Sequence, residues 1–185
     1  MKILLTGATG YIGKRILPML VNKGYHVVCC VRDKSRFNPP KLLKEKVSVI
    51  EIDLLNISSL SKIPNDIDVA YYLVHSMATA DNYKSLEQKS AVNFRNRLSN
   101  TDVKQVIYLS GIINESSLSK HLLSRKVVEE ELETGKYNLT CLRAGIIVGS
   151  GSASFEIMRD LVEKLPVMIT PKWLLTKCSP IGISD

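Results

Sequence analysis

Leu5-Thr6-Gly7-Ala8-Thr9-Gly10-Tyr11-Ile12-Gly13 follows directly on the apolar run that begins at Met1. The segment reads as a strand, a glycine turn and the first turn of a helix. Gly7 permits the sharp exit from the strand, Gly10 lets backbone approach a pyrophosphate, and Gly13 lets the helix pack close to the strand. The free N–H groups and positive dipole end of that helix face the phosphates. Ile12, Ile16, Leu17, Leu20 and Val21 then recur at helical spacing, and a second apolar run follows at the distance of a strand–helix–strand unit. The stretch predicts a dinucleotide-binding turn, with contacts from Gly7, Thr9, Gly10, Tyr11 and Ile12.

Strand and helix keep alternating along the chain. Strands are expected near residues 2–6, 26–32, 47–52, 68–74, 104–109 and 139–143, and helices near 11–23, 41–45, 56–62, 82–100, 118–134 and 153–164. Gly24 is placed to end the first helix as a C-terminal glycine cap. Val27-Val28-Cys29-Cys30-Val31 and Val106-Ile107-Tyr108-Leu109 are apolar without alternation, the mark of strands buried on both faces of a parallel sheet. The predicted class is α/β: a Rossmann-type, doubly wound parallel sheet with helices on both faces, three layers αβα. Its ligand crevice lies at the carboxyl ends of the strands. Residues 1–185 read as a single dinucleotide-binding domain without repeats or low-complexity linkers.

Composition fits that class. The chain of 185 residues is 45% hydrophobic and 23% charged, as in ordinary globular proteins. No apolar run reaches transmembrane length. The first residues run straight into the glycine turn, unlike a signal peptide, so a cytoplasmic location and no membrane partner are expected. The four cysteines lack metal-site spacing, and no metal is expected. Adjacent Cys29 and Cys30 should point to opposite faces of a strand. A formal charge of +7 invites a nucleic-acid reading. The basic residues are dispersed and few aromatics accompany them, so a solvated basic surface is preferred. Such a field still helps recruit an anionic dinucleotide or substrate.

The spacing Gly-x-x-Gly-x-x-Gly within Thr6–Gly13 resembles the extended and atypical short-chain dehydrogenase/reductases. Tyr72-Leu-Val-His-Ser-Met77, His121-Leu-Leu-Ser-Arg125, Leu142-Arg-Ala-Gly-Ile-Ile-Val-Gly149, Gly151-Ser-Ala-Ser-Phe-Glu156 and Leu165-Pro-Val-Met-Ile-Thr-Pro171 narrow the resemblance. They are similar to the YbjT-like NAD(P)H-binding oxidoreductases, often described as nucleoside-diphosphate-sugar epimerases, with NmrA-like relatives. Larger members carry a further C-terminal region, and the end of this chain, Ser179–Asp185, resembles the strand that leads into it. A fragment or an unusually short relative is expected.

NAD-binding members end the second strand in an acidic residue that holds the ribose hydroxyls. Here Val31 and then Arg32 stand there, followed by Asp33, Lys34, Ser35 and Arg36. A guanidinium pairs bidentately with a 2′-phosphate. Arg32, with Ser35 and Arg36 nearby, thus favours NADP over NAD, while Asp33 could still reach a ribose. The resemblance further implies that Asp53 and Leu54 flank the adenine. It also implies that Leu73, Val74, His75 and Ser76 pass the central phosphates and ribose.

Catalytic members place Ser after the fifth strand and Tyr-x-x-x-Lys on the next helix. Ser110 fits the serine position, and His121 and Arg125 occupy the Tyr and Lys spacing. His121 can act as acid or base near neutral pH. Arg125 can clamp a ribose, but its pKa forbids proton relay. Ser150, Ser152, Ser154 and Phe155 would line the substrate end. The resemblance implies an oxidoreductase or epimerase-like enzyme acting on a small substrate that the sequence does not specify. The alternative is a non-catalytic NADP(H) sensor of the NmrA type. Oligomeric state is left open.

Overall fold

The computed structural model describes residues 1–75, 83–113, 119–165, 167 and 177–185. Ser76, the segment 168–176 and the side chain of Ser154 lie outside the described set. Within it, the elements are β1 (Lys2–Leu5), α1 (Tyr11–Asn22), β2 (His26–Val31), β3 (Val47–Glu51), α2 (Ile57–Leu60), β4 (Val69–Tyr72), α3 (Tyr83–Leu98), β5 (Gln105–Gly111), α4 (Lys120–Glu133), β6 (Asn138–Ala144), β7 (Ile147–Val148), α5 (Ala153–Lys164) and β8 (Ile181–Gly182). They fall into two compact units, Met1–Leu142 and Arg143–Asp185.

In the first unit the sheet runs β3-β2-β1-β4-β5-β6. β1 pairs in parallel with β2 and β4, Leu5 opposite Cys29 and Tyr71. The strand order reverses about β1, so the connections leaving β1 and β4 diverge to opposite faces and open a crevice between them. This is the doubly wound α/β arrangement expected from the apolar runs.

Each face carries its own core. On one, Leu17, Leu20 and Val21 of α1 pack on Ile3, Leu5, Val27 and Cys29. On the other, Ala91, Phe94 and Leu98 of α3 and Val128 and Leu132 of α4 cover Leu4, Val28, Cys30, Ala70 and Tyr72. Cys29 and Cys30 therefore do face opposite ways. Tyr72 meets Phe94 and Tyr108 edge-on, with centroids 4.9 and 5.9 Å apart.

The helix expected near 41–45 is a 3-10 turn, Lys41–Lys46, entered through Pro40. The helix expected near 56–62 contracts to the single turn Ile57–Leu60, capped by the Asn56 side chain on Ser58 N–H. Gly24 does close α1: its φ is +89°, its N–H donates to Val21 O, and Tyr25 N–H donates to Leu20 O. That is a Schellman closure.

In the second unit β7 and β8 pair in parallel, Ile147 opposite Ile181 and Val148 opposite Gly182. Glu156 of α5 accepts from Gly151 N–H at 2.9 Å and pairs with Arg159 at 2.5 Å.

The glycines separate two kinds of constraint. A Cβ on Gly13 would lie 2.2 Å from Gly7 O, whereas one on Gly24 would meet nothing within 4 Å. Gly24→Ala should cost about 1 kcal/mol from its left-handed backbone alone. Gly13→Ala should cost about 3 kcal/mol or more, because helix and turn must separate. Denaturant unfolding of the two variants checks the order.

Candidate functional site

Across the carboxyl ends of β3, β2, β1, β4 and β5 lies a cleft of about 540 Å³. Its floor at the centre is the glycine turn. Gly7 has φ +68°, and a Cβ there would lie 2.6 Å from Leu73 O. No side chain caps the first turn of α1, whose N-cap is Gly10 and whose first turn holds no acid. Its N–H groups are left to an anion from solvent or ligand.

Thr6 holds this centre together. It is 1% exposed, and its hydroxyl donates to Tyr71 O at 2.9 Å and accepts from Leu73 N–H at 3.1 Å. The side chain thus bridges β1 and the exit of β4 where the backbone ladder ends.

Of the expected contacts, Gly7, Thr9, Gly10, Arg32, Asp53, Leu54, Leu73, Val74 and His75 line the cleft. Tyr11 and Ile12 do not; they open α1 beside it. Exposed Arg32 stands at the end of β2. Asp33 is turned to local work: it accepts from Ser35 N–H at 2.9 Å and Ser35 Oγ at 2.6 Å, and pairs with Arg36 at 3.2 Å. The hydrogen bonds from Ser35 hold its carboxyl below the usual carboxylate range. Ser35 and Arg36 thereby belong to a 3-10 turn, Lys34–Arg36, whose residues do not line the cleft. Asp53 lines the cleft and also folds its own turn, accepting from Leu55 N–H at 3.0 Å.

The three expected catalytic residues lie near one another on β5 and α4, outside the cleft lining. Ser110 is 1% exposed, and its buried Oγ meets no partner at hydrogen-bonding geometry among the described residues. Arg125 Nη1 approaches Leu109 O at 3.4 Å, and Arg125 O accepts from Tyr108 Oη at 3.3 Å. His121, in the first turn of α4, is exposed and stands edge-on to His75, centroids 6.3 Å apart. In the second unit the Ser152 hydroxyl donates to Ile147 O at 2.7 Å, an internal bond.

Several lining residues were not anticipated: Thr6, Cys30, Tyr72, Leu86, Glu87, Ser90, Tyr108 and Val128 among them. Glu87 is the unexpected charge. It is 7% exposed, and its Oε1 lies 2.8 Å from His75 Nδ1. Burial raises the Tyr72 and Tyr108 phenols and the Cys30 thiol. None of the three is a neutral-pH anion.

The cleft fits a dinucleotide: it has an uncapped helix end, a turn where only hydrogen fits and a cation at the end of β2. Residues 7–160 match the model of the NAD(P)H-binding family. Eugenol synthase 2 of Clarkia breweri is 38% identical over 89 residues, 45% of this chain and 29% of that one. The chloroplastic divinyl chlorophyllide a 8-vinyl-reductase of Cucumis sativus is 26% identical across 99% of this chain and 47% of its own. The chain thus spans about half or less of the length of these curated relatives. Among solved structures, the UDP-glucuronic acid 4-epimerase of Bacillus cereus, in complex with UDP-glucuronic acid and NAD, shares the fold. Its TM-score is 0.73 at 20% identity, covering 100% of this chain and 70% of that one. Among the described residues no helix is long and apolar enough to cross a membrane.

The bridge made by Thr6 is testable. Thr6→Val keeps the shape but strands the Leu73 N–H without its acceptor. It should cost about 1–3 kcal/mol, measured by thermal or urea unfolding without ligand, whereas a surface Thr→Val should be near neutral.

Proposed function

We propose, for a chain that belongs to the NAD(P)H-binding family, an NADP-preferring oxidoreductase domain that acts on a small carbonyl or nucleotide-sugar-like substrate. The observation that carries the preference is Arg32 in the cleft lining while Asp33 is engaged by Ser35 and Arg36. An acid at the end of the second strand selects the free ribose, whereas a guanidinium selects the 2′-phosphate.

In this reading the N–H groups of the turn at Gly7, Thr9 and Gly10 and of the first turn of α1, Tyr11 and Ile12 included, hold the pyrophosphate. Arg32 takes the 2′-phosphate, with Ser35 and Arg36 adding local polarity. Asp53 and Leu54 border the adenine, and the backbone of Leu73, Val74, His75 and Ser76 follows the ribose. When bound, the nicotinamide gives or takes hydride. Ser110 would orient the substrate oxygen, His121 would exchange its proton, and Arg125 would clamp the nearby ribose.

A second reading, a dinucleotide sensor, is favoured by one observation: His121 and Arg125 stand where catalytic members of the resembling superfamily place Tyr and Lys. Substrate-dependent NADPH oxidation over a panel of small carbonyls and nucleotide sugars separates the two.

Saturating NADPH at a hundredfold its Kd should stabilise the folded chain by about 2.7 kcal/mol in thermal melts. Arg32→Glu should weaken NADPH by about 2 kcal/mol or more, through a lost charged hydrogen bond and added repulsion. NADH should bind nearly unchanged. Equal losses for both cofactors would reduce Arg32 to a structural role.

A further inference from the structure

Side chains to which the dinucleotide reading gives no part, those of Glu87, Ser124 and His75, gather on the β4–β5 side of the cleft, across β1 from Arg32 and Asp53. Glu87 of α3 is buried, and both its carboxylate oxygens are engaged. Oε1 pairs with His75 Nδ1 at 2.8 Å. Oε2 accepts the hydroxyl proton of Ser124 on α4, itself 1% exposed. His75 is 27% exposed and, like Glu87, lines the cleft. His121 of α4 stands edge-on to its ring. The phenols of Tyr72 on β4 and Tyr108 on β5 also feel the Glu87 charge, and Tyr108 feels the Arg125 cation.

A buried carboxylate is costly unless it is fully hydrogen-bonded, and this one is satisfied by an imidazole and a hydroxyl brought from two other segments. An imidazole whose Nδ1–H is committed to a carboxylate has its tautomer fixed, and Nε2 is left as its proton-exchanging atom. We propose that His75 is an acid–base residue of this cleft, with Glu87 as the positioning residue that fixes its tautomer and Ser124 anchoring Glu87. The proposal rests on the dinucleotide reading, which brings a substrate carbonyl to this side of the cleft. In reduction, His75 starts as the imidazolium: the carbonyl oxygen keeps the electron pair of the broken C=O π bond and takes the Nε2 proton, which leaves His75 as the neutral Nδ1–H tautomer held by Glu87. The carbon gains hydride from the reduced nicotinamide, so two electrons and one proton balance. The proton exchange assigned above to His121 then runs through His75, with exposed His121 reloading Nε2 from solvent.

The chain has three histidines, so ¹⁵N-edited imidazole spectra can be assigned and read without substrate. Neutral His75 should be the Nδ1–H tautomer. Glu87→Gln, whose amide oxygen still accepts, should keep it, and Glu87→Ala should release it to the Nε2–H form that free imidazole prefers. An Nε2–H tautomer in the unsubstituted protein overturns the pair, and this measurement decides even if Glu87→Ala does not fold. NADPH should also move the His75 Nε2 signal. If NADPH raises the melting temperature but leaves that signal in place, His75 does not face the bound ligand and the proposal falls. If NADPH does not change the melt at all, the dinucleotide reading has failed, and the acid–base role falls with it whatever the tautomer. With 9,10-phenanthrenequinone as the carbonyl probe, His75→Asn should lower kcat at least about a hundredfold, with the NADPH Kd within about threefold. An unchanged kcat overturns the assignment.

Discussion

The ladder between β1 and β4 has to stop somewhere, and where it stops the molecule acquires its cleft. Thr6 N–H and Oγ1 both reach Tyr71 O, and the same hydroxyl receives Leu73 N–H. One side chain thus completes the hydrogen bonding of two strands at the point where their continuations part. Beyond it the chain turns at Gly7 toward α1, while the exit of β4 passes so close that a Cβ on Gly7 would strike Leu73 O. The anion-facing end of α1 and the wall formed by Leu73 to His75 are fixed relative to each other by that contact. The pocket follows from strand order, and its precision follows from Thr6 and Gly7.

Most of the sheet was legible because a parallel strand buried on both faces leaves a long apolar signature. His26–Val31 and Gln105–Gly111 lie within a residue or two of the expected strands. The short elements were less legible. Lys34–Arg36 turns because Asp33 accepts from Ser35, a local bond that charge-based reading of the basic run does not reveal. That bond bears on cofactor choice, since it engages the acid that could otherwise reach a ribose.

Glu87 and Ser124 show why the polar centre was missed. The buried stripe of α3 is Ala91, Phe94 and Leu98, and Glu87 sits one turn before Ala91 on the same stripe. The buried stripe of α4 is Val128 and Leu132, and Ser124 sits one turn before Val128. A polar residue on an otherwise apolar face is a readable signal, but sequence alone does not say which partner satisfies it. The partner here arrives from the neighbouring helix and from the exit of β4. Ser110, Arg125 and His121 were located by spacing, and spacing placed them together on β5 and α4. It did not foresee that Ser110 is buried and absent from the residues that line the cleft.

The back-to-back cysteines of β2 have a practical corollary for watching the fold breathe. Cys29 belongs to the core under α1, and Cys30 to the core under α3 and α4. Burial pushes the Cys29 thiol up to about 12 and the Cys30 thiol higher still, so alkylation of either requires its layer to open first. Two neighbouring residues therefore keep separate clocks for the two faces of one sheet. Exposed Cys178 is a reference that needs no opening.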